Sequence, residues 1–233
     1  MLQARLLGQY EIRMDGQPVI ISSRPMQSLI AYLVLHPHTS HRREKLAGQI
    51  WPDASESNAR SNLRHALWLI RKAIGPGANV RIDSDDLGVT YHPQPGDQLD
   101  VDCFEVCSEE EGSTDALIQA VSAYGGDLLP GFYEEWVILE REWLQAAFER
   151  KMGRLLDCLL AERRWNEVLT WGERWIASGG TPEPAYRALM LAHAGLGNLS
   201  GAVAQYQRCV EALAREVGVQ PSEKTREVFE LIR

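Results

Sequence analysis

No stretch of this 233-residue chain is apolar for long enough to cross a bilayer. The longest unbroken run, Leu29-Ile30-Ala31-Tyr32-Leu33-Val34-Leu35, falls far short of the about 18 residues that a span needs. The N-terminus, Met1 to Tyr10, lacks a cationic stretch followed by an apolar one, so no secretory signal is expected. Cysteine is scarce. Cys103, Cys107, Cys158 and Cys209 do not make a disulfide scaffold in a chain of this length. The spacing of the first two suits a helix turn better than a zinc knuckle. These absences predict a reduced, cytoplasmic protein without membrane contact, in which the sequon Asn198-Leu199-Ser200 carries no meaning.

Enzyme signatures are missing as well. There is no G-x-x-x-x-G-K-[ST], no H-E-x-x-H and no G-x-S-x-G. Gly195-Leu196-Gly197 follows a helix but lacks the third glycine of a dinucleotide loop. His36, His38 and His41 sit in a turn with no Asp, Glu or Cys at ligand spacing, so no metal is expected there. Glu109-Glu110-Glu111 reads as an exposed helix end rather than a catalytic pair. The expectation is a non-enzyme with no catalytic residues and no cofactor.

What the chain does have is an ordinary composition, 45% hydrophobic and 24% charged, with its charge unevenly placed. The net charge of −8 argues against indiscriminate nucleic-acid binding. Yet residues 1–82 hold 11 Lys+Arg against 5 Asp+Glu, while residues 83–233 hold 13 against 27. A split of that size predicts two domains with different partners.

Residues 3–22 read as short strands around the hairpin signal Asp15-Gly16. Arg24-Pro25 opens a helix to Leu35, with Met26, Leu29, Ile30 and Leu33 at helical spacing. A second helix is expected from Arg42 to Trp51. The third runs from Glu56 to Ile74, with Ser55 as N-cap, and stops at Gly75-Pro76-Gly77. Val80-Arg81-Ile82 and Gly88-Val89-Thr90-Tyr91 form a hairpin across Asp83-Ser84-Asp85-Asp86. This element order is that of a winged helix-turn-helix. Gln94-Pro95-Gly96-Asp97 reads as a linker. Helices are then expected near 102–110, 114–124, 134–162, 164–178, 182–196, 199–215 and 222–232. The fold class is mainly α: an N-terminal α+β winged helix-turn-helix at 1–93, then an all-α, tetratricopeptide-like domain at 98–233.

The repeat-type assignment comes from residues 164–176, which superpose on 198–210 at an offset of 34 residues, the tetratricopeptide period. Val168/Ala202 and Gly172/Tyr206 fall where such helices pack. Stacked helical hairpins build docking surfaces more often than active sites. Trp136, Trp143, Trp165, Trp171 and Trp175 lie at helical spacings and read as core or groove lining.

The third helix carries the main functional signal. Ala59, Leu63, Ala66, Leu67, Ile70 and Ile74 make one apolar stripe, and Arg60, Ser61, Arg64, His65, Trp68, Arg71 and Lys72 fall on the other side. A charge run alone usually marks a solvated face, but a large aromatic such as Trp68 on a polar face needs a reason. A helix packed by one side and basic on the other suits the major groove, where Arg reads guanine edges and Lys meets phosphate. Arg64 and Trp68 are placed for base contact, Arg71 and Lys72 for the backbone, and Asn62 for the edge. His41, Arg42, Arg43 and Lys45 start the second helix, whose first-turn N–H groups suit phosphate, and Arg24 holds the equivalent place on the first. The acidic wing tip suits a minor groove badly, leaving Arg81 and Thr90 as its DNA-facing groups.

Two blocks are more specific than any helix-turn-helix pattern. One is Leu46-Ala47-Gly48-Gln49-Ile50-Trp51-Pro52-Asp53 leading to Arg60-Ser61-Asn62-Leu63-Arg64. The other is Gly126-Asp127-Leu128-Leu129-Pro130-Gly131-Phe132-Tyr133-Glu134-Glu135-Trp136, and the tail from Glu216 to Thr225 adds to them. With Leu2–Gly8, Arg24–Leu35 and Asn58–Gly75, they make nearly the whole chain resemble the antibiotic-regulatory-protein (SARP) family. In that family a response-regulator-like winged helix precedes a bacterial transcriptional activator domain. The resemblance implies an activator that binds direct repeats in double-stranded promoter DNA as side-by-side protomers and recruits RNA polymerase. It implies that the third helix reads the DNA and that the loop around Trp51-Pro52-Asp53 touches polymerase. No receiver domain precedes the chain, so no aspartyl-phosphate switch is expected, and a chain ending at Arg233 suits a stand-alone activator or the first part of a longer regulator. The competing expectation, favoured by the acidic charge, is a repeat-type adaptor whose winged helix binds protein.

Overall fold

The computed structural model describes residues 1–106 and 113–233. The expected positions Cys107 and Glu109-Glu110-Glu111 lie outside the described residues. The chain opens with strands β1 (Leu2–Arg5), β2 (Glu11–Met14) and β3 (Gln17–Pro18). Helix α1 (Arg24–Leu35) follows with proline in its first turn, where the missing N–H costs nothing. Strand β4 (His41–Arg42) leads into α2 (Arg43–Ile50) and then α3 (Glu56–Ile74). The Ser55 hydroxyl accepts the Asn58 N–H at 3.4 Å to start α3, and Gly75 at φ 83° ends it.

Next come the short helix α4 (Ala78–Arg81) and strands β5 (Ile82–Ser84), β6 (Gly88–Tyr91) and β7 (Gln98–Leu99). The helices α5 (Asp100–Glu105), α6 (Thr114–Ala123), α7 (Glu135–Ala161), α8 (Trp165–Ala177), α9 (Glu183–Gly195), α10 (Leu199–Glu216) and α11 (Glu223–Ile232) complete the described chain. None of its helices is long and apolar enough to cross a membrane.

Two sheets frame the N-terminal half. One has the order β3-β2-β1-β7, with β1 antiparallel to β2 (Leu2 opposite Met14) and parallel to β7. The other, β4-β6-β5, is the wing with a third strand added, since His41 pairs with Val89. Three features differ from the sequence expectation. Strands β4 and β7 are two residues each and exist through distant partners. Val80 and Arg81 belong to α4 and not to the wing strand. The segment Gln94–Asp97 is fastened down, because the Asp97 carboxylate accepts the Leu2 N–H at 2.7 Å and the Gln94 N–H at 2.8 Å.

By internal contact the chain divides into two compact units. Met1–Val106 goes with Ser122–Gln145, and the remaining described residues form the second unit, so the border falls inside α7. This line differs from the expected division at 93/98. The reason is a backbone clasp. Gly8 donates to the Asp127 carbonyl and Leu129 donates to the Leu6 carbonyl, both at 2.8 Å. A Cβ on Gly8 would lie 2.6 Å from the Gly125 carbonyl oxygen, so only glycine allows this approach. Arg141 seals the same turn by donating to the carbonyls of Leu128, Leu129 and Phe132 at 2.9–3.0 Å.

In the second unit α9 packs against α8, α10 and α11, and the hairpins α8–α9 and α10–α11 are the two copies of the 34-residue repeat. Val168 and Ala202 are buried as expected. At the second matched pair the copies diverge. Gly172 lets Leu189 of α9 approach so closely that a Cβ would sit 2.8 Å from its methyl. Tyr206 instead stacks on Phe229 of α11, with ring centroids 3.9 Å apart. Trp136, Trp171 and Trp175 are buried, whereas Trp143 is 52% exposed and is not core.

Candidate nucleic-acid interface

Helix α3 is held by the six apolar residues expected, Ala59, Leu63, Ala66, Leu67, Ile70 and Ile74, all buried. Its opposite face carries Ser61, Arg64, His65, Trp68 and Lys72, all exposed and spaced three or four apart along one stripe. Trp68 is 56% exposed. It is nevertheless ordered by its neighbours, for the His65 ring stacks near it at 6.0 Å and the Lys72 ammonium lies 5.3 Å from its ring. Arg64 has no ion pair among the described residues. Asn62 is exposed at the stripe's edge.

The other cations are divided among several tasks. Arg60 bridges Glu44 of α2 at 2.9 Å and Glu56 at 2.5 Å, all three side chains being exposed. Arg42 and Lys45 are exposed at the start of α2. Arg43 is tied to the wing, its guanidinium donating to the Asp85 carbonyl at 3.2 Å and its N–H to the Leu87 carbonyl at 3.0 Å. One first-turn N–H expected to face phosphate is therefore already used. Arg24 lies apart, its guanidinium 3.8 Å over the Phe132 ring.

Two cations expected at DNA serve the fold. Arg71 donates to the Ile82 carbonyl at 2.8 Å and to the Ser84 hydroxyl at 2.6 Å, strapping α3 to β5. Burial, helped by the nearby Arg43 charge, lowers its pKa. Arg81 is 8% exposed and closes on Asp97. Burial pushes the Asp97 carboxyl up, but the Gln94 and Leu2 N–H groups and the Arg81 guanidinium outweigh it and hold it below the usual carboxylate range. Neither partner was visible in sequence, because each lies 11 to 16 residues away across a turn.

The acidic wing tip has a local cause. The Asp85 carboxylate accepts the Leu87 N–H at 2.8 Å and the Gly88 N–H at 2.7 Å, closing the β5–β6 turn, and these bonds lower its pKa. Sequence reasoning passed over Ser57, which is exposed one turn before Ser61 and two turns before Arg64. Its helical spacing from Arg64 was the available signal.

The family model for the bacterial transcriptional activator domain matches residues 108–233, more than half of the chain. The chain belongs to that family. As a whole it is similar to the transcriptional regulatory protein MoaR1 of Mycobacterium tuberculosis, with 22% identity over 99% of this chain and 79% of the relative. Among solved structures it is similar to Mycobacterium tuberculosis EmbR, determined in complex with a low-affinity phosphopeptide. The TM-score is 0.77 at 20% identity, covering 99% of this chain. The chain spans 64% of the length of that solved chain, and the likeness shows the fold: a winged helix followed by the helical activator domain. The resemblance to SARP-type regulators holds, and the chain is a transcriptional regulator of this family. The relative MoaR1 is described as a transcriptional regulatory protein.

Proposed function

We propose that the protein is a sequence-specific activator that binds direct repeats in double-stranded promoter DNA as side-by-side protomers and contacts RNA polymerase. Residues 1–93 form its DNA-binding module and 98–233 its activator domain. The observation that carries this reading is the exposed stripe of Ser61, Arg64, His65, Trp68 and Lys72 on α3, opposite a fully buried apolar face. Arg64, free of carboxylates, reads a base edge. Trp68, steadied by His65 and Lys72, packs on the thymine methyl side of the groove. Arg42, Lys45 and Lys72 hold phosphates. Arg60 joins them when phosphate replaces Glu44 and Glu56, since exposed ion pairs are worth only about 0–1 kcal/mol. Arg71 and Arg81 are left out of the interface because other groups already hold them. Polymerase contact falls to the Trp51-Pro52-Asp53 loop between α2 and α3.

The test is selection of binding sites from random DNA at two salt concentrations. An enriched direct repeat with half-sites about one helical turn apart is expected. Arg64→Ala and Trp68→Ala each lose about 1–3 kcal/mol of preference for that site. Selection without enrichment, or unchanged binding by Arg64→Ala, overturns the reading. One observation favours the adaptor alternative: Leu87, 80% exposed beside Asp86 at the wing tip, suits a protein surface better than phosphate. Failure of the selection would make that reading the next to test.

A further inference from the structure

Within the first unit, two open clefts of about 450 and 580 Å³ lie along the start of α7 and share His36, Leu139 and Glu140. Tyr32 and Trp136 supply aromatic lining to the larger, and Leu35 and Val101 apolar lining to the smaller. Leu139 and Trp143, one helical turn apart on α7, stand 60% and 52% exposed between them. Large apolar side chains grouped in this way and rimmed by polar groups mark an interaction surface.

The rim has one dominant sign. Glu134, Glu135 and Glu140 border the larger cleft, Asp102, Glu105 and Glu140 the smaller, and Lys45 is the one lysine or arginine among these lining residues. His36 lies 3.8 Å from Glu140, but burial lowers its pKa and keeps its ring neutral near pH 7. Partial burial raises the pKa of both Glu140 and Asp102 with nothing to offset it, as for carboxylates that lack a cation. Phosphate is repelled by such a rim, so nucleic acid is not its occupant.

We propose that this face of α7 docks a basic amphipathic helix from a partner protein, its apolar side on Leu139 and Trp143 and its lysines or arginines against Glu140, Asp102 and the Glu134-Glu135 pair. The inference goes beyond the DNA-binding reading, and the side chains it puts in contact with the helix are outside that reading, although Lys45 and Pro52 of that reading also line the larger cleft. A helix fits because its i, i+3, i+4 anchors run along a groove floor while its charged edge meets the rim.

The test titrates the full chain with a synthetic Leu–Lys amphipathic helical peptide, and with a Leu–Glu peptide of the same pattern, by calorimetry. Binding of the Leu–Lys peptide alone is expected. The pair Leu139→Ser with Trp143→Ala, and the pair Glu140→Gln with Asp102→Asn, should each weaken it by about tenfold or more. The control pair Glu223→Gln with Glu227→Gln on α11 changes net charge equally and should leave it unaltered. Equal binding by all three double variants, or equal binding of the Leu–Glu peptide, overturns the proposal. So does a wild-type self-association that Trp143→Ala abolishes, for the occupant would then be a second copy. Photo-crosslinking of the bound peptide to the wild-type chain needs no variant. Labelling between Glu135 and Trp143 is expected, and labelling confined to other elements overturns the inference. Site-specific DNA binding measured on the same samples keeps failure of this proposal distinct from failure of the DNA reading.

Discussion

Asp97→Ala removes the acceptor on which four donors of the N-terminal unit converge: the Arg81 guanidinium, the backbone N–H groups of Leu2 and Gln94, and the Tyr91 hydroxyl. The side chains of Arg81 and Asp97 are only 10% and 5% exposed. Taking one partner from a buried pair costs about 3–5 kcal/mol, because the remaining charge is left without compensation. Two orphaned N–H groups place Asp97→Ala toward the upper end of that range. A loss of about 4 kcal/mol is large against a typical domain stability of about 5–15 kcal/mol. It should move a urea midpoint by about 2 M for slopes of about 2 kcal/mol per molar. The assay is urea unfolding at pH 7, with amide exchange in β5, β6 and β7 assigning the loss to this unit. Asp97→Asn should lose less, since its remaining oxygen still serves one of the two N–H groups. The carboxyl pKa is depressed in the folded state, so its contribution is complete above the unfolded value of about 4 and is lost as pH falls through the lower folded value. Arg81→Ala should cost stability and leave DNA preference unchanged. If it weakens DNA binding with the urea midpoint intact, Arg81 belongs to the DNA face and the reasoning is wrong.

Three further outcomes follow from other contacts. Lys72→Ala should weaken binding to all DNA sequences alike and lower the salt slope by about one, checked by titration at several salt concentrations. A sequence-selective loss would instead make Lys72 a base reader. Gly172→Ala gains about 1 kcal/mol of helix propensity but drives a methyl into Leu189 at 2.8 Å, an overpacking of about 1–3 kcal/mol. The net expectation is a lower Tm, and a raised Tm would mean that Leu189 yields freely. The Cys209 thiol is pushed up to about 11 by burial. Iodoacetamide at pH 8 should therefore modify exposed Cys103 first and reach Cys209 only on unfolding, as mass spectrometry of time points would tell.

What could be read from sequence was local and periodic. The span of α3, its N-cap Ser55, its stop at Gly75 and all six of its buried residues follow from a 3.6-residue period and the chemistry of helix ends. The 34-residue offset located both helical hairpins for the same reason. What escaped was pairing at a distance. His41–Arg42 and Gln98–Leu99 are strands only because Val89 and Gln3 lie beside them. Arg71 and Arg81 look like Arg64 in a string of letters. A carbonyl, a hydroxyl and a carboxylate brought in by folding decide that two of the three serve the fold.

The clasp between Gly8 and Gly125 has a meaning for synthesis. The first strand is made well before its partners, for its parallel neighbour β7 and the Leu128 bridge to Leu7 come about a hundred residues later. At roughly 5–20 residues per second this is a wait of about 5–25 seconds with an unpaired edge. A fragment cut at residue 93 would keep that edge permanently. Such a fragment should be prone to pair with copies of itself, an exposed strand being a template for association.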